Sequence, residues 1–511
     1  MASEQELRTV RLEKIQRLKT EEKINPYPAK YDRTHLLAEV PALKDGTLVR
    51  VAGRLITYRN MGKLAFGKLF DESGKLQAVF LRDELGEQMQ IMKKVDLGDF
   101  VGVEGVRYTT ERGENSVLAK KVTFLGKALL PLPEKFHGLA DEETKQRQRY
   151  LDLISDEATF QRFKFRSDFI RTLREFYWAE GFREVETPTL LHSATGAAAR
   201  PYATHNNGLD MDVYLRISHE LPLKELIVGG FDKVFEIGKA FRNEGVDPSH
   251  LPEHTHLEHY CAYWDFEKNI EFTEKMFAYF FEKLKLEKKI KVADKEGKEQ
   301  EVDFSTPWKR ENFVELMRKE TGLDILEWTD ADELRKELKK KKIVFEKMEE
   351  MSLASLVDNL YKKVLRPKLI GPVILYGYPK YLQPLARTND ADNRLVDQFQ
   401  LVVNGWELVK AYSELVDPVD QAERFAEQAG AMAEGDEEAM AGDSDFITAL
   451  EHGAPPISGW GMGIDRTLAI LTGQTNLREV VLFPHASRPK RRKIVQINAK
   501  CVCFFECPTL F

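Results

Sequence analysis

Between Thr47 and Leu125 the chain is written in short segments whose apolar residues recur at every second position, among them LVRVAGRLITYR, KLQAVFLR and DFVGVEGVRYT. That period puts one set of side chains on each face of an extended strand, so each segment reads as a half-buried strand rather than a helix. Glycine, aspartate and asparagine punctuate the breaks. About five strands fit, and the connections are too short for crossover helices. The stretch is therefore expected to close on itself as a small barrel.

A chain of 511 residues is too long for one ordinary core, so roughly two or three domains are expected. A five-stranded closed barrel is of the OB type, which often binds single-stranded nucleic acid. Residues 4 to 24 read as a charged helix with apolar positions too sparse for a buried face. In PLPEKFHGLADEETKQRQRYLDLI the prolines end the barrel, which puts a boundary near residue 145 and an N-terminal unit at 1–145. From Ser167 a helical pattern begins, with Phe169, Ile170, Leu173, Phe176 and Tyr177 on one face and Ser167 or Asp168 as cap. A large mixed domain spans 146–485. Within it, 267–370 reads as a helical insertion and 427–444 as an acidic, alanine-rich surface loop with helical tendency.

No apolar run is long enough to span a bilayer and the start is charged, so a soluble, cytoplasmic protein without membrane contact is expected. The four cysteines exclude a disulfide framework. Cys501, Cys503 and Cys507 have no nearby histidine or paired CxxC to suggest a metal, so 486–511 is taken as an atypical tail without an assigned role. A net charge of −7 neither advertises nor forbids nucleic-acid binding, because phosphates respond to local patches.

Three segments suggest chemistry. VFEIGKAFRNEGVDPSHLPEHTHLEHYCAYWDF (234–266) reads as an antiparallel hairpin, with Arg242 and Glu244 sharing one face and Glu258 and Tyr260 sharing one face of the return strand. ISGWGMGIDRTLAILTG (457–473) spaces Gly459, Gly461 and Gly463 so that a backbone can approach a flat ligand, then opens a helix with Arg466 in its first turn. FYWAEGFREVETPTL is a helix, a turn and a strand ending at Pro188. Each alone has a bland reading: a solvated sheet face, a packing turn, a strand terminator. His254 and His256 share a strand face that His259 does not, so the three cannot easily converge on a metal.

In this order, the segments resemble the three signature motifs of class II aminoacyl-tRNA synthetases, with Pro188 in motif one, FRNE (241–244) in motif two and GMGIDR ending at Arg466 in motif three. No GxxxxGK[ST] loop is present. RQRYLDLI, GAAARPYATHNN, LKELIVGGFDKVFEIGKAFRNEG, AYSELVDP and ALEHGAPP narrow the resemblance to lysyl-tRNA synthetases over residues 10 to 485. It implies an α+β fold, with an N-terminal OB-fold β-barrel followed by an antiparallel β-sheet domain flanked by helices.

The resemblance also implies a ligase that activates L-lysine with ATP and Mg²⁺ and transfers it to tRNA(Lys), as a homodimer. Arg242 would bridge the lysine carboxylate and the α-phosphate, and Arg466 would hold the γ-phosphate. Glu244 would accept from the adenine amino group, His250 would touch the phosphates, and Glu407 would ligate Mg²⁺. Gly196 and Glu220 would take the α-amino group. Glu258, Tyr260 and Glu414, with Tyr412 nearby, would take the ε-ammonium. In the barrel, Phe66 would stack on an anticodon base, with Arg59 and Gln77 as polar readers; the bland reading for Phe66 is a barrel-core residue.

Four positions depart from the family pattern. His254 stands where a phenylalanine usually stacks on adenine. Gln400 replaces a metal-binding glutamate, leaving the number of magnesium sites open. Lys410 replaces an asparagine beside the substrate carboxylate, and Lys121 replaces an anticodon-reading glutamate. Three rivals therefore stay open: an aspartyl- or asparaginyl-type synthetase, a catalytically weakened RNA-binding paralogue, and a lysine transferase acting on protein.

Overall fold

A computed structural model describes residues 3–133, 141–193, 196, 199–245, 247–294, 297–433 and 442–485. The chain forms two compact units, Met1–Ala140 and Asp141–Phe511. The division falls a few residues before the expected 145, where Asp141 accepts from the Thr144 backbone at 2.9 Å and starts a helix. The cysteine-bearing tail, 486–511, lies outside the described residues.

In the first unit, β1 (Leu48–Asn60), β2 (Leu64–Asp71), β3 (Gly74–Leu81), β4 (Phe100–Thr109) and β5 (Asn115–Gly126) form a closed barrel in the order β1-β2-β3-β5-β4. Closure comes from β1, which pairs antiparallel with both β2 and β4; only β3 and β5 run parallel. The two-residue period sets the inside: Val49, Val51, Leu55, Ala65, Leu69, Phe80, Val103 and Phe124 fill one core. Gly67 is required there, because a Cβ would come within 2.6 Å of Leu55 Cδ1.

The N-terminal helix, Glu4–Thr20, corrects the sequence reading. Arg11, Ile15 and Leu18 are buried, and Arg11 Nη1 donates to the carbonyls of Ala128 at 3.0 Å and Leu130 at 2.9 Å. A long arginine stem covers apolar surface as well as a leucine does, which an apolar count misses.

The second unit holds the strands β6 (Arg183–Glu184), β7 (Leu190–Leu191), β8 (Tyr202–Asn206), β9 (Met211–Leu215), β10 (Lys233–Phe241), β11 (Glu253–Ala262), β12 (Lys289–Ala293), β13 (Glu299–Asp303), β14 (Lys309–Asn312), β15 (Val373–Pro379), β16 (Leu395–Val403), β17 (Trp406–Ser413) and β18 (Ile457–Gly463). Eight of them make one sheet, β14-β15-β16-β17-β18-β11-β10-β6, antiparallel except at its two outer pairs. Helices Glu157–Ala179 and Phe266–Lys283 cover one face. Their Phe169, Leu173, Phe176, Ile270, Phe272, Met276 and Phe280 pack with Phe235, Leu257, Leu401, Val409, Trp460 and Met462 of the strands.

The first of these helices begins ten residues before the expected cap. Asp156 accepts from the backbone of Ala158 and Thr159, while Ser167 lies mid-helix and bonds back to the Phe163 carbonyl. The stretch 267–370 is also more than helical. It contributes the core helix Phe266–Lys283, the hairpin β12–β13 and the edge strand β14 before helices Phe313–Thr321, Ala331–Lys340 and Leu353–Leu360. Of 427–444, the first part continues the helix Pro418–Ala433; 434–441 lies outside the described residues.

Candidate active site

The face of the sheet opposite the core helices opens into a cavity of about 960 Å³. Its floor follows from strand register. β18 runs between β11 and β17, and pairs Gly459 with Tyr260 and Tyr412, and Gly461 with Glu258 and Lys410. Gly461 and Gly459 therefore leave the middle of the floor bare, and the strands on either side lean their side chains over it. At Gly459 a Cβ would run into the Tyr260 ring and the Glu414 carboxylate.

One end of the cavity is acidic. Glu220, at the start of the helix Glu220–Val228, and Glu258 on β11 line it, whereas Glu414, just past β17, is not among the lining residues and lies behind it against Lys224; all three are buried. Glu258 accepts from the His219 backbone at 3.2 Å and Ser218 Oγ at 3.2 Å, and lies 3.2 Å from the His256 ring. Burial raises its pKa, but the contacts with His219 and His256 outweigh this and hold the carboxyl well below the usual range. Glu220 Oε1 accepts from Tyr412 Oη at 2.5 Å and from Lys224 Nζ at 2.6 Å. Lys224 also pairs with Glu414. Among the described residues both Glu414 oxygens otherwise lack a hydrogen-bond partner, and burial together with the charges of Glu220 and Glu258 pushes that carboxyl up against the pull of Lys224. Gly196 adopts φ +87° and lies against Ser218 and Glu220.

The other end is basic. Arg242 follows β10, its backbone N–H donating to the Pro252 carbonyl at 2.9 Å, and its buried Nε has no hydrogen-bond partner among the described residues. Arg466 sits in the first turn after β18, with Nη1 donating to the Glu407 carbonyl at 3.3 Å. Burial lowers its pKa, Glu407 raises it, and Arg242 and Arg366 add to the lowering. Glu244, His250, His254 and Glu407 line this end. His250 Nδ1 is 2.8 Å from Asp247. His254 meets the His256 ring edge-on at 4.9 Å, and burial beside His256, Arg242 and Arg466 depresses its pKa so that it is neutral. His259 points into the core, stacked on Trp460 at 5.0 Å, so the strand alternation separates it from His254 and His256. Instead, one nitrogen each of His219 and His256 lies near a Glu258 oxygen, all three atoms within 4.8 Å of one another.

Gln400, on β16, cannot act as the expected carboxylate. Its Oε1 accepts from Tyr361 at 3.1 Å and Tyr378 at 2.8 Å, which uses both lone pairs. Glu407 offers a carboxylate suited to a hard divalent cation, whereas the neutral amide oxygen of Gln400 is already held by two tyrosines.

The sequence reading missed several residues that build the site. Arg366 lines the basic end. Asp465 pairs with Arg166 at 2.6 Å and accepts from the Thr255 backbone at 2.8 Å, tying β11 to the glycine-rich turn. Lys224 could have been found: it sits four residues after Glu220 on one helix, the spacing at which side chains meet. Arg366 gave no local signal.

In the barrel, Phe66 alternates with the buried Ala65 and Gly67 and lies on the outer face, so it is not a core residue. It is the direct cross-strand neighbour of Arg59. Gln77 pairs with Lys68 one step along and donates to Ser116 Oγ at 3.0 Å. Lys121 is exposed and paired with Glu104 at 3.1 Å.

Residues 141–487 match the family of class II tRNA synthetases (D, K and N), and residues 49–125 match the OB-fold nucleic acid binding domain. Curated relatives include a lysine–tRNA ligase of Lactococcus lactis subsp. lactis, 44% identical over 486 residues, covering 93% of this chain and 97% of that protein. The lysine–tRNA ligase of Aquifex aeolicus is 45% identical over 448 residues, covering 87% of this chain and 74% of its own. That of Fervidobacterium nodosum is 42% identical over 472 residues, covering 90% of each.

Proposed function

The chain belongs to the class II tRNA synthetases and, among them, to the lysine–tRNA ligases; from that membership and the two-ended cavity we propose that it activates L-lysine with ATP and transfers it to tRNA(Lys). The observation that carries the reading is the pocket's charge. Three buried carboxylates, Glu220, Glu258 and Glu414, cluster at one end; Lys224 pairs with Glu220 and Glu414, while Glu258 has no lysine or arginine partner among the described residues. Lysine brings two ammonium groups. An aspartyl- or asparaginyl-type substrate would need cationic or neutral partners where Glu258 and Glu414 stand, because unpaired buried charge is costly.

In the first step a lysine carboxylate oxygen attacks the α-phosphorus of ATP, the bond to the bridging oxygen breaks and pyrophosphate leaves. In the second, a terminal ribose hydroxyl of the tRNA attacks the acyl carbon and AMP leaves. Neither step needs a protein nucleophile; positioning and charge neutralisation suffice. Arg242 holds the carboxylate against the α-phosphate, and Arg466, with Arg366, holds the triphosphate end. Glu244 reads the adenine amino group, neutral His254 stacks on the base, and His250 contacts phosphate. Gly196 and Glu220 orient the α-amino group, with Tyr412 steering Glu220. Glu258, Tyr260 and Glu414 hold the ε-ammonium. Glu407 is the residue to hold Mg²⁺, which neutralises phosphate oxygens when bound.

The outer barrel face bearing Arg59, Phe66 and Gln77 reads the anticodon, and the enzyme works as a cytoplasmic homodimer. No described helix is long and apolar enough to cross a membrane. Lysine-dependent ATP–pyrophosphate exchange tests the reading. Wild-type protein should exchange with lysine and not with aspartate or asparagine, and Arg242→Ala should abolish it. Equal activity in that variant would refute the site, and exchange without charging of total tRNA would favour the weakened paralogue.

A further inference from the structure

Lys410 stands where the acidic and basic ends of the cavity meet. It lies on β17 between Glu407, which lines the basic end, and Tyr412, which lines the acidic end. Register fixes its neighbours: Gly461 on one side, with Glu258 beyond it, and Gln400 on the other. Because Gly461 has no side chain, nothing on that strand separates the Lys410 stem from the open floor.

The surroundings of its ammonium are unusual. Lys224, at the acidic end, has two carboxylates, and Lys362, nearer Tyr361, has Asp358. Lys410 makes no ion pair or hydrogen bond through Nζ among the described residues; the only contact of its charge is the face of the Tyr412 ring, 6.0 Å away. Gln400, opposite, cannot answer it with charge, since it is neutral and its carbonyl oxygen is held by two tyrosines. The cross-strand pair of Lys410 and Gln400 thus contributes one uncompensated positive charge and no metal ligand.

We propose that Lys410 is a catalytic residue of the activation step, whose ammonium contacts the junction of the lysine carboxylate and the ATP α-phosphate and stabilises the negative charge that gathers there as the bond forms. The inference rests on the reading of the cavity as a lysine-activating site. In the step, the carboxylate oxygen bonds to the α-phosphorus and the bridging oxygen leaves with the electron pair on pyrophosphate. Lys410 keeps its protons throughout and acts only as a fixed cation, the kind of preorganised charge that is worth most in a water-poor site.

Lys410→Met and Lys410→Arg in the full chain test this. Lys410→Met is expected to lower kcat of lysine-dependent pyrophosphate exchange about 100-fold, and Lys410→Arg to keep most of the activity. Binding of lysinol adenylate, whose phosphodiester carries the junction's charge, should weaken about as much in Lys410→Met, while affinity for lysine alone stays within about threefold. Exchange in Lys410→Met within about threefold of wild type would overturn the proposal. A parallel loss of affinity for lysine and lysinol adenylate would overturn it too, because it would mean that Lys410 only shapes the amino-acid pocket through Tyr412. Absence of lysine-dependent exchange in the wild type would instead sink the functional reading on which the proposal rests.

Discussion

Lys224→Met removes the cation that pairs with both Glu220 and Glu414 at the acidic end, while keeping most of the side-chain volume. Lys224 is 1% exposed and serves both Glu220 and Glu414, so its loss leaves two carboxylates facing each other without a counter-charge. Breaking a buried ion pair from one side costs about 3–5 kcal/mol, most of it the penalty on the charge left behind. The pH dependence has a defined sign. Burial lowers the Lys224 pKa but Glu220 and Glu414 more than restore it, so the net shift is upward. Its contribution is therefore complete at neutral pH and fades only as pH rises through the shifted value. In the variant the penalty is relieved by proton uptake on a carboxylate whose pKa is already raised, Glu414, so the deficit should shrink as pH falls below neutral. All six tryptophans lie in the second unit, so urea unfolding followed by tryptophan fluorescence reports on that unit. A change below about 1 kcal/mol at neutral pH, or a deficit that does not vary with pH, would show that Lys224, Glu220 and Glu414 do not form a buried ion-paired cluster.

Other substitutions separate the parts of the machine. Gly459→Ala should raise KM for lysine and cut exchange by at least about tenfold, because the new methyl group competes with Tyr260 and Glu414 for one space; steady-state kinetics with varied lysine checks it. Glu258→Gln keeps the hydrogen-bonding shape but removes a charge, so kcat/KM for lysine should fall about 100-fold, with ATP affinity, read by calorimetry, little changed. Phe66→Ala should lower kcat/KM for tRNA by about 5- to 150-fold, the equivalent of about 1–3 kcal/mol of stacking, while lysine-dependent exchange, which needs no tRNA, stays at the wild-type level.

What the sequence disclosed depended on how local the signal was. The barrel strands and the hairpin β10–β11 carry a two-residue period, and the structure has both. The early start of the helix Glu157–Ala179 was hidden because Ser167 and Asp168 look like caps, whereas the cap that operates, Asp156, precedes a polar first turn with little apolar periodicity. Residues 267–370 looked helical from their lysine and glutamate content, but β12 and β13 have the same composition, and only their pairing shows the hairpin. At the site, Arg242 and Arg466 were found through motifs. Arg366 was not, because what makes it part of the cavity is a fold that brings it beside Tyr361 and Arg466 from a segment with no motif of its own.

The departures at Gln400, Lys410 and His254 look like losses when each is taken singly, and the structure shows why they do not read as decay. A decaying site accumulates unsatisfied or colliding groups, since nothing selects against them. Here the Gln400 amide oxygen is engaged by Tyr361 and Tyr378, and neutral His254 stays compatible with the cations Arg242 and Arg466 beside it. Among the described residues, the cavity-lining Arg242 Nε and Arg366 Nε are buried without a hydrogen-bond partner, and the Lys410 ammonium makes no ion pair. They sit at the positions where a bound amino acid and nucleotide would bring the opposite charge. Unmet positive charge at those positions fits a site that receives anionic groups from its ligands, because buried charge without a partner is costly unless binding supplies one.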